Sequence, residues 1–397
     1  MKRIVISTFI ILFLILLGTT FGIFYARGYR FDLNNPKSIL EGTGLLVLTS
    51  KPDGSRVFIN NHLTTATNNT INLAPGVYEV RIEQDGYFPW RKTIEIKNEA
   101  VSQANATLFP IAPRLEAVTT TGARNPALDG SGSIIAYTVS SASADKNGIY
   151  TLNMSAPAIF ALGGGANQIT NDLVAPFSNS NLIFSPDGSQ LLSSISANLA
   201  TPTNYLLSSR SFNANPKDIT TTLPQVLADW DKQTQLANKK TIDSLPKKIR
   251  TVARANFSNP IISPLEDKIL YTASTSAVLP VLINPRLPGT NSTPEIRSIK
   301  KGDIYVYDMK EDRNYLLSTK EEAPMKFMWL SDSSHLVYAK NTKINIVEFD
   351  GQNITTVYAG PFVDSFVFPW PDGSSLIILT NLNIPDAPNN LYRISLR

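Results

Sequence analysis

A mainly β chain with a single N-terminal transmembrane helix is the fold class that the sequence predicts, and three observations predict it. From Ile4 to Phe24 run 21 residues without one charge. Beyond them, apolar and polar residues alternate in short stretches bounded by Pro, Gly, Asn and Asp, the pattern of half-buried strands. In the last 285 or so residues one turn-centred signature recurs five times, and such self-similarity marks a repeat architecture.

The chain has 397 residues, enough for two or three separate cores. A hydrophobic fraction of 43% belongs to globular material, and 26 prolines among many Ser, Thr and Asn point to frequent turns. Net charge is +4 and dispersed, unlike the dense basic stripe of a nucleic-acid binder. There is no cysteine, so disulfides, thiolate metal sites and cysteine nucleophiles are excluded. With only His62 and His335, a histidine triad or multi-histidine metal site lacks its ligands.

The apolar run matches a hydrocarbon core of about 30 Å at 1.5 Å per helical residue. Lys2 and Arg3 precede it; Tyr25 and Tyr29 follow at the depth where aromatic rings favour the interface. A cleaved signal peptide is the rival, with Ile4–Leu17 as its apolar core. Thr20 and Gly22 make a poor cleavage pair, which favours an uncleaved anchor. Lys2 and Arg3 against Arg27, Arg30 and Asp32 give a small bias toward the N-terminus inside and the body outside the cytoplasm.

A polar stretch, Asp32–Gly44, leads to alternation. Leu46, Leu48 and Val57, Ile59 read as strands split by the turn Lys51-Pro52-Asp53-Gly54. Ile71-Asn72-Leu73, the turn Ala74-Pro75-Gly76 and Val77–Ile82 form a second pair, with Tyr78, Val80 and Ile82 on one face. Gly86-Tyr87 turns the chain into Thr93–Ile96. The runs S-K-P-D-G-S-R-V-F-I-N, L-A-P-G-V-Y-E-V and D-G-Y-F-P-W resemble the PEGA family of small β-domains, over about residues 44–109. Asn68-Asn69-Thr70 departs from that family's usual Thr-Pro pair. The resemblance implies a binding or spacer module of surface-exposed proteins and carries over no catalytic residue. His62 is expected in a solvated loop and Trp90 beneath a turn.

The recurring signature is an apolar strand, a Pro/Asp/Gly turn and a second strand. It stands at 125–139, 182–195, 260–273, 327–339 and 366–380, each copy followed by a further strand. Aligning positions 129, 187, 265, 332 and 372 gives intervals of 58, 78, 67 and 40 residues. A helical insertion (213–256) and a Pro-rich one (276–300) account for the longest, leaving values near the 40–50 residues of a four-stranded propeller blade. Residues 113–128 complete the short last copy, so an N-terminal strand is expected to close the ring. Five blades are visible, with room for a sixth, degenerate one. Ser185-Pro186-Asp187-Gly188-Ser189 and Trp329-Leu330-Ser331-Asp332 resemble the repeats of TolB-like propellers. That resemblance implies a fold and no activity. Leu265-Glu266 replaces Asp-Gly in the third copy, which leaves that turn's shape open.

The insertion reads as two helices. Thr222-Leu223-Pro224-Gln225 has the capping-box form, and Ser244-Leu245-Pro246 opens the second helix, with Ile242, Leu245, Ile249 and Val252 at helical spacing. Between 225 and 256 stand seven basic and three acidic residues. A solvated helix face is the favoured reading of them; a docking surface for acidic polymer or lipid headgroups is the alternative.

No nucleophile elbow, phosphate-binding loop, zincin or EF-hand pattern occurs, and Gly163-Gly164-Gly165 lacks a following Lys-Ser/Thr. Asp187, Asp332 and Asp372 fall in equivalent turns on separate blades; Glu321-Glu322 lies in a polar loop, and His335 is expected at the surface. The sequence therefore assigns no catalytic, cofactor or metal residue and predicts no enzyme. Its domains are a transmembrane anchor (1–30), a linker (31–43), the PEGA-like domain (44–110) and the propeller (111–397). The expected function is a bacterial cell-envelope scaffold, anchored in the bilayer through residues 4–24. It would bind an envelope protein or cell-surface polysaccharide and no nucleic acid. A hydrolase with its site in the propeller channel, or a sensory ectodomain working through a partner helix, are the alternatives.

Overall fold

The computed structural model describes residues 2–26, 30–31, 40–155, 165–196, 202–322, 325–363 and 366–397. Tyr29, Arg27, Asp32 and Gly163-Gly164 lie outside them, as does most of the expected linker. Two compact units account for the chain: residues 1–108 with 283–294, and residues 109–282 with 295–397.

In the first unit the apolar run folds as helix α1, Lys2–Ala26, of which Ile6–Ile23 is long and apolar enough to cross a membrane. No residue of that stretch is buried in protein. The hydroxyls of Thr19 and Thr20 bond to the carbonyls of Ile15 and Leu16, at 2.7 Å each. These polar groups are thus satisfied within the helix, as an apolar solvent demands.

After a short antiparallel pair, Arg30–Phe31 with Leu40–Glu41, come seven strands: β1 (Gly44–Lys51), β2 (Arg56–Ile59), β3 (His62–Ala66), β4 (Asn69–Leu73), β5 (Gly76–Glu83), β6 (Trp90–Ile96) and β7 (Val101–Thr107). They pair as a three-stranded sheet, β4-β1-β7, and a four-stranded one, β3-β2-β5-β6. Period-two alternation puts Leu46 and Leu48, Val57 and Ile59, Val80 and Ile82, and Ile94 and Ile96 into one core with Trp90. β2 and β3 join through Asn60-Asn61, both left-handed (φ 48° and 65°), as a two-residue hairpin requires and Asn tolerates. β7 runs parallel to β1 and buries only Ser102, Ala104 and Ala106. Residues 283–294 of the Pro-rich segment belong to this unit. Ser292 Oγ accepts the β6 N–H of Glu95 at 2.9 Å. Gly289 (φ 73°) stands so close to the Val101 carbonyl that a Cβ would overlap it.

The second unit contains five four-stranded antiparallel sheets. Blade 1 is Arg124–Leu128, Ile134–Val139, Gly148–Asn153 and Ala166–Asn171; blade 2 is Ser180–Phe184, Gln190–Ile195, Thr203–Ser208 and Lys217–Asp218. Blade 3 is Phe257–Ile262, Lys268–Ala273, Ile304–Asp308 and Arg313–Ser318; blade 4 is Met328–Trp329, His335–Lys340, Lys343–Glu348 and Thr355–Ala359. Blade 5 takes Val367–Pro369, Ser375–Thr380 and Asn390–Ser395 from the chain's end and its outer strand, Leu115–Ala117, from the unit's start. Leu115 pairs with Ile394 and Ala117 with Tyr392, which is the expected ring closure. Among the described residues the blades number five.

Four seams are sheet against sheet. Ala136 and Ile149 meet Leu182 and Leu191; Leu270 and Val306 meet Leu336 and Val347. Val337, Ile344 and Ile346 meet Leu376 and Ile378, while Ile377, Leu379 and Leu391 meet Ile135, Tyr137 and Leu152. Between blades 2 and 3 lie helices α2 (Leu223–Asp243) and α3 (Lys247–Asn256). Trp230 packs on Leu192 and Ile219 of one side; Ile242, Leu245, Ile249 and Ala253 pack with Phe257 and Ile269 of the other. The same core takes Leu279 and Ile299 from the feet of the Pro-rich insertion, so both insertions build on blade 3. Thr222 does occupy the N-cap, but its side chain makes no capping bond; Pro224 in the first turn and the packed face define the start instead.

Leu391→Ala at the closing seam should cost the second unit about 2–5 kcal/mol, read as a lower urea midpoint for its transition with that of the first unit unmoved. Gly289→Val should expel residues 283–294 from the first unit, read as new protease cleavage within that segment.

Candidate functional site

The five signature turns share one backbone. In each, the first residue's N–H donates to the sixth residue's carbonyl (Asp129–Ile134, Ser185–Gln190, Ser263–Lys268, Leu330–His335, Trp370–Ser375), at 2.8 to 3.0 Å. The fourth residue's N–H returns to the first carbonyl, and that fourth residue is always left-handed: Gly132, Gly188, Glu266, Ser333 and Gly373, with φ from 56° to 72°. The turn is therefore a property of the fold and only partly of Asp-Gly. Leu265-Glu266 makes it too, Glu266 taking the glycine's place. Asp129 is not the counterpart of Asp187: it opens its turn, and Ser131 holds the third position. The Asp129 carboxylate accepts the N–H groups of Ser133 and Ile134 at 2.8 Å each. Neighbouring turns also interlock, for Ser333 Oγ accepts the Leu265 N–H at 2.8 Å.

The first strands of blades 1 and 2, and of blades 4 and 5, touch one another, which makes the first strand of each blade the inner one. Two of these strands are open. Blade 2 exposes Asn181 and Ile183 (55%), and blade 3 exposes Asn259 and Ile261 (48%), with Leu265 (68%) on the turn below. The matching positions are Asn125 and Ala127, Lys326 and Met328, and Phe366 and Phe368. Amides and apolar side chains thus dominate the inner rim. None of these ten positions holds a carboxylate or histidine, and the one charged side chain among them is Lys326.

Charged groups collect instead behind the turns of blades 3 and 4. Lys268 is buried, with Nζ 2.7 Å from Asp267, 4.0 Å from Asp308 and over the Phe349 ring at 4.6 Å. Burial pushes the Asp308 carboxyl above its ordinary range, against the lowering pull of Lys268. In blade 4 the expectation of a surface His335 is overturned. Its ring is buried, edge-on to Phe109 at 5.4 Å, and Nδ1 lies 2.7 Å from Asp332. The reason is that the first side chain of this strand points into the seam with blade 5. For Asp332, burial raises the carboxyl, but bonds from His335 and from the backbone N–H groups of Ser334 and His335 outweigh it and hold it low. Another fully buried carboxylate besides Asp308, that of Asp312, accepts the Leu282 N–H (2.6 Å), Arg297 Nη1 (3.0 Å) and the Tyr307 hydroxyl (2.8 Å). It thereby pins both feet of the Pro-rich insertion. Burial, with Asp312 as acceptor, drives the Tyr307 hydroxyl far above its usual range.

Other singled-out residues stay apart. His62 is exposed and opens β3, Trp90 is in the core of the first unit, and Glu322 pairs with Lys340 at 2.6 Å. Among the described residues no group of three or more His, Cys, Asp or Glu side chains is placed to hold a metal ion. The rim asparagines were not anticipated, although Asn recurs four residues ahead of the turn's first residue in three successive repeats (125, 181, 259).

Residues 43–111 match the PEGA domain family. The seven-stranded module is a PEGA domain. No curated protein matches the sequence. Among solved structures, the chain is similar to a putative TolB from Agrobacterium tumefaciens at 15% identity, over 69% of this chain and 73% of that one, with a TM-score of 0.22. TolB from Acinetobacter baumannii follows at 14%, over 80% and 59%, TM-score 0.25. An oligogalacturonate lyase in complex with manganese gives 12%, over 81% and 86%, TM-score 0.26. The PEGA domain precedes the propeller in the chain, and the propeller itself rests on the strand pairing above.

Asp332→Asn should destabilise blade 4 by about 1–2 kcal/mol near neutral pH, the low end for hydrogen bonds to a charged group, since the side chain remains 35% exposed. A carboxyl held low contributes stability above its unfolded value, near 3.9, and loses it as pH falls through the folded value. The variant should therefore show a shallower acid limb in pH-dependent thermal melts.

Proposed function

We propose that the chain is a membrane-anchored, extracytoplasmic binding protein of the bacterial cell envelope, in which the PEGA domain is a spacer and the propeller holds a protein or glycan. The observation that carries this reading is the open inner rim. Ile183, Ile261 and Leu265 are large apolar side chains left in water beside Asn181 and Asn259, in a ring otherwise sealed by apolar seams. Exposed apolar groups flanked by amides suit a partner that brings both surface to bury and polar groups to pair. Helix α1, with none of Ile6–Ile23 buried in protein, supports the anchor, and the small charge bias around it supports a body outside the cytoplasm. The hydrolase alternative needs an acid and a base at the channel, and among the ten inner-strand positions Lys326 is the one charged group.

Cross-linking of the full-length protein in intact cells should capture an envelope protein or surface polysaccharide. Ile183→Asp with Ile261→Asp should reduce that capture about tenfold or more, the loss of a central interface contact, whereas Ile354→Asp, at an exposed isoleucine outside the rim, should not. Equal capture by both variants would reject the rim. Protease added to whole cells should degrade the body; full protection would reverse the orientation.

A further inference from the structure

The tip of the helical hairpin carries charge that its own packing does not use. Lys239 and Lys240 end α2, and Lys247 and Lys248 begin α3, so four lysines stand on either side of the three-residue turn 244–246. All four are exposed. The nearby acid Asp243 is already taken by Arg254 at 2.7 Å. Asp229 and Asp231 lie eight to eleven residues back along α2 from Lys239 and Lys240, about 12–16 Å at 1.5 Å per residue. Lys239 and Lys240 suit the negative end of α2, but Lys247 and Lys248 occupy the end of α3 where the helix dipole disfavours cations. Apolar contacts elsewhere hold the hairpin in place: Trp230 on one blade, Ile242, Leu245, Ile249 and Ala253 on the next.

A second feature lies beside the lysines. Residues 231–237 of α2 are exposed on every side, and among them Leu236 is 59% open. It precedes Lys239 and Lys240 by three and four residues and so shares their face. An exposed leucine with Lys232, Lys239 and Lys240 at helical spacing, on a helix held to the blades through Trp230 and Ile242, is the pattern of an interfacial element that seats an apolar side chain among anionic headgroups.

We propose that the α2–α3 tip docks on the anionic surface of the bilayer, through Lys239, Lys240, Lys247 and Lys248 with Leu236 inserted between headgroups. This rests on the reading of α1 as a membrane anchor, which keeps a bilayer within reach of the same molecule. Each lysine contributes roughly fivefold to association with an anionic surface and does so only at low to moderate salt.

The test uses the full-length protein in nanodiscs. Because the chain has no cysteine, Leu236→Cys gives one site for an environment-sensitive fluorophore. In discs containing 30% phosphatidylglycerol the label should shift to the blue and resist an aqueous quencher; in pure phosphatidylcholine discs it should not. High salt, or the combined substitutions K239E, K240E, K247E and K248E, should abolish the shift while leaving the circular dichroism spectrum unchanged. Equal quenching in both kinds of disc would overturn the proposal. Release by millimolar inorganic phosphate at constant ionic strength would also overturn it, since that identifies a free-anion site. A chain that leaves the discs rejects the anchor and not the tip, which co-sedimentation with vesicles of the same anionic composition then reads directly.

Discussion

Ring closure is the constraint on which the propeller depends. A four-stranded blade buries its two apolar faces only against neighbouring blades, and a last blade short of one strand would leave a longer edge open to further pairing. Leu115–Ala117 closes blade 5 by pairing with Asn390–Ser395, and the Val118 N–H continues the join to the Leu391 carbonyl at 2.8 Å. Residues nearly 280 apart are thereby held together, and Leu391 is placed in the seam between the last blade and the first. The seams that follow, from Ile135 around to Leu379, are complementary only because the circle is complete.

One seam is built differently, and its construction explains where the exposed surface lies. Between blades 2 and 3 the helical hairpin does the packing, with Trp230 on one side and Ile249 on the other. The open inner strands, with Ile183 and Ile261, belong to these same two blades. The hairpin also projects residues 231–237 into solvent and presents the lysine tip. The open rim and the charged tip thus both adjoin the one seam where helices stand in place of sheets.

The buried charges serve a different end. Lys268 with Asp308, His335 with Asp332, and Arg297 with Asp312 are each satisfied within the protein, as burial requires. Asp312 holds Leu282 and Arg297, the two feet of the insertion whose middle, 283–294, is counted with the PEGA domain. Such pairs fix geometry.

Local pattern made much of this legible. The 21-residue uncharged run, the alternation of Val80 and Ile82, and five Pro/Asp/Gly turns specified the helix, the small domain and the blades, because hydrophobic period and turn chemistry act over a few residues. Even the closing strand followed from repeat length. What tertiary structure alone decided is everything that depends on residues far apart meeting. β7 hides its core face behind Ser102, Ala104 and Ala106, too small to show a hydrophobic pattern. Glu266 adopts a left-handed turn because the blade imposes it, and His335 is buried because a neighbouring blade and Phe109 cover it. The open rim is of the same kind: Ile183 and Leu182 look alike as residues, and only the placement of the blades leaves one in water and packs the other away.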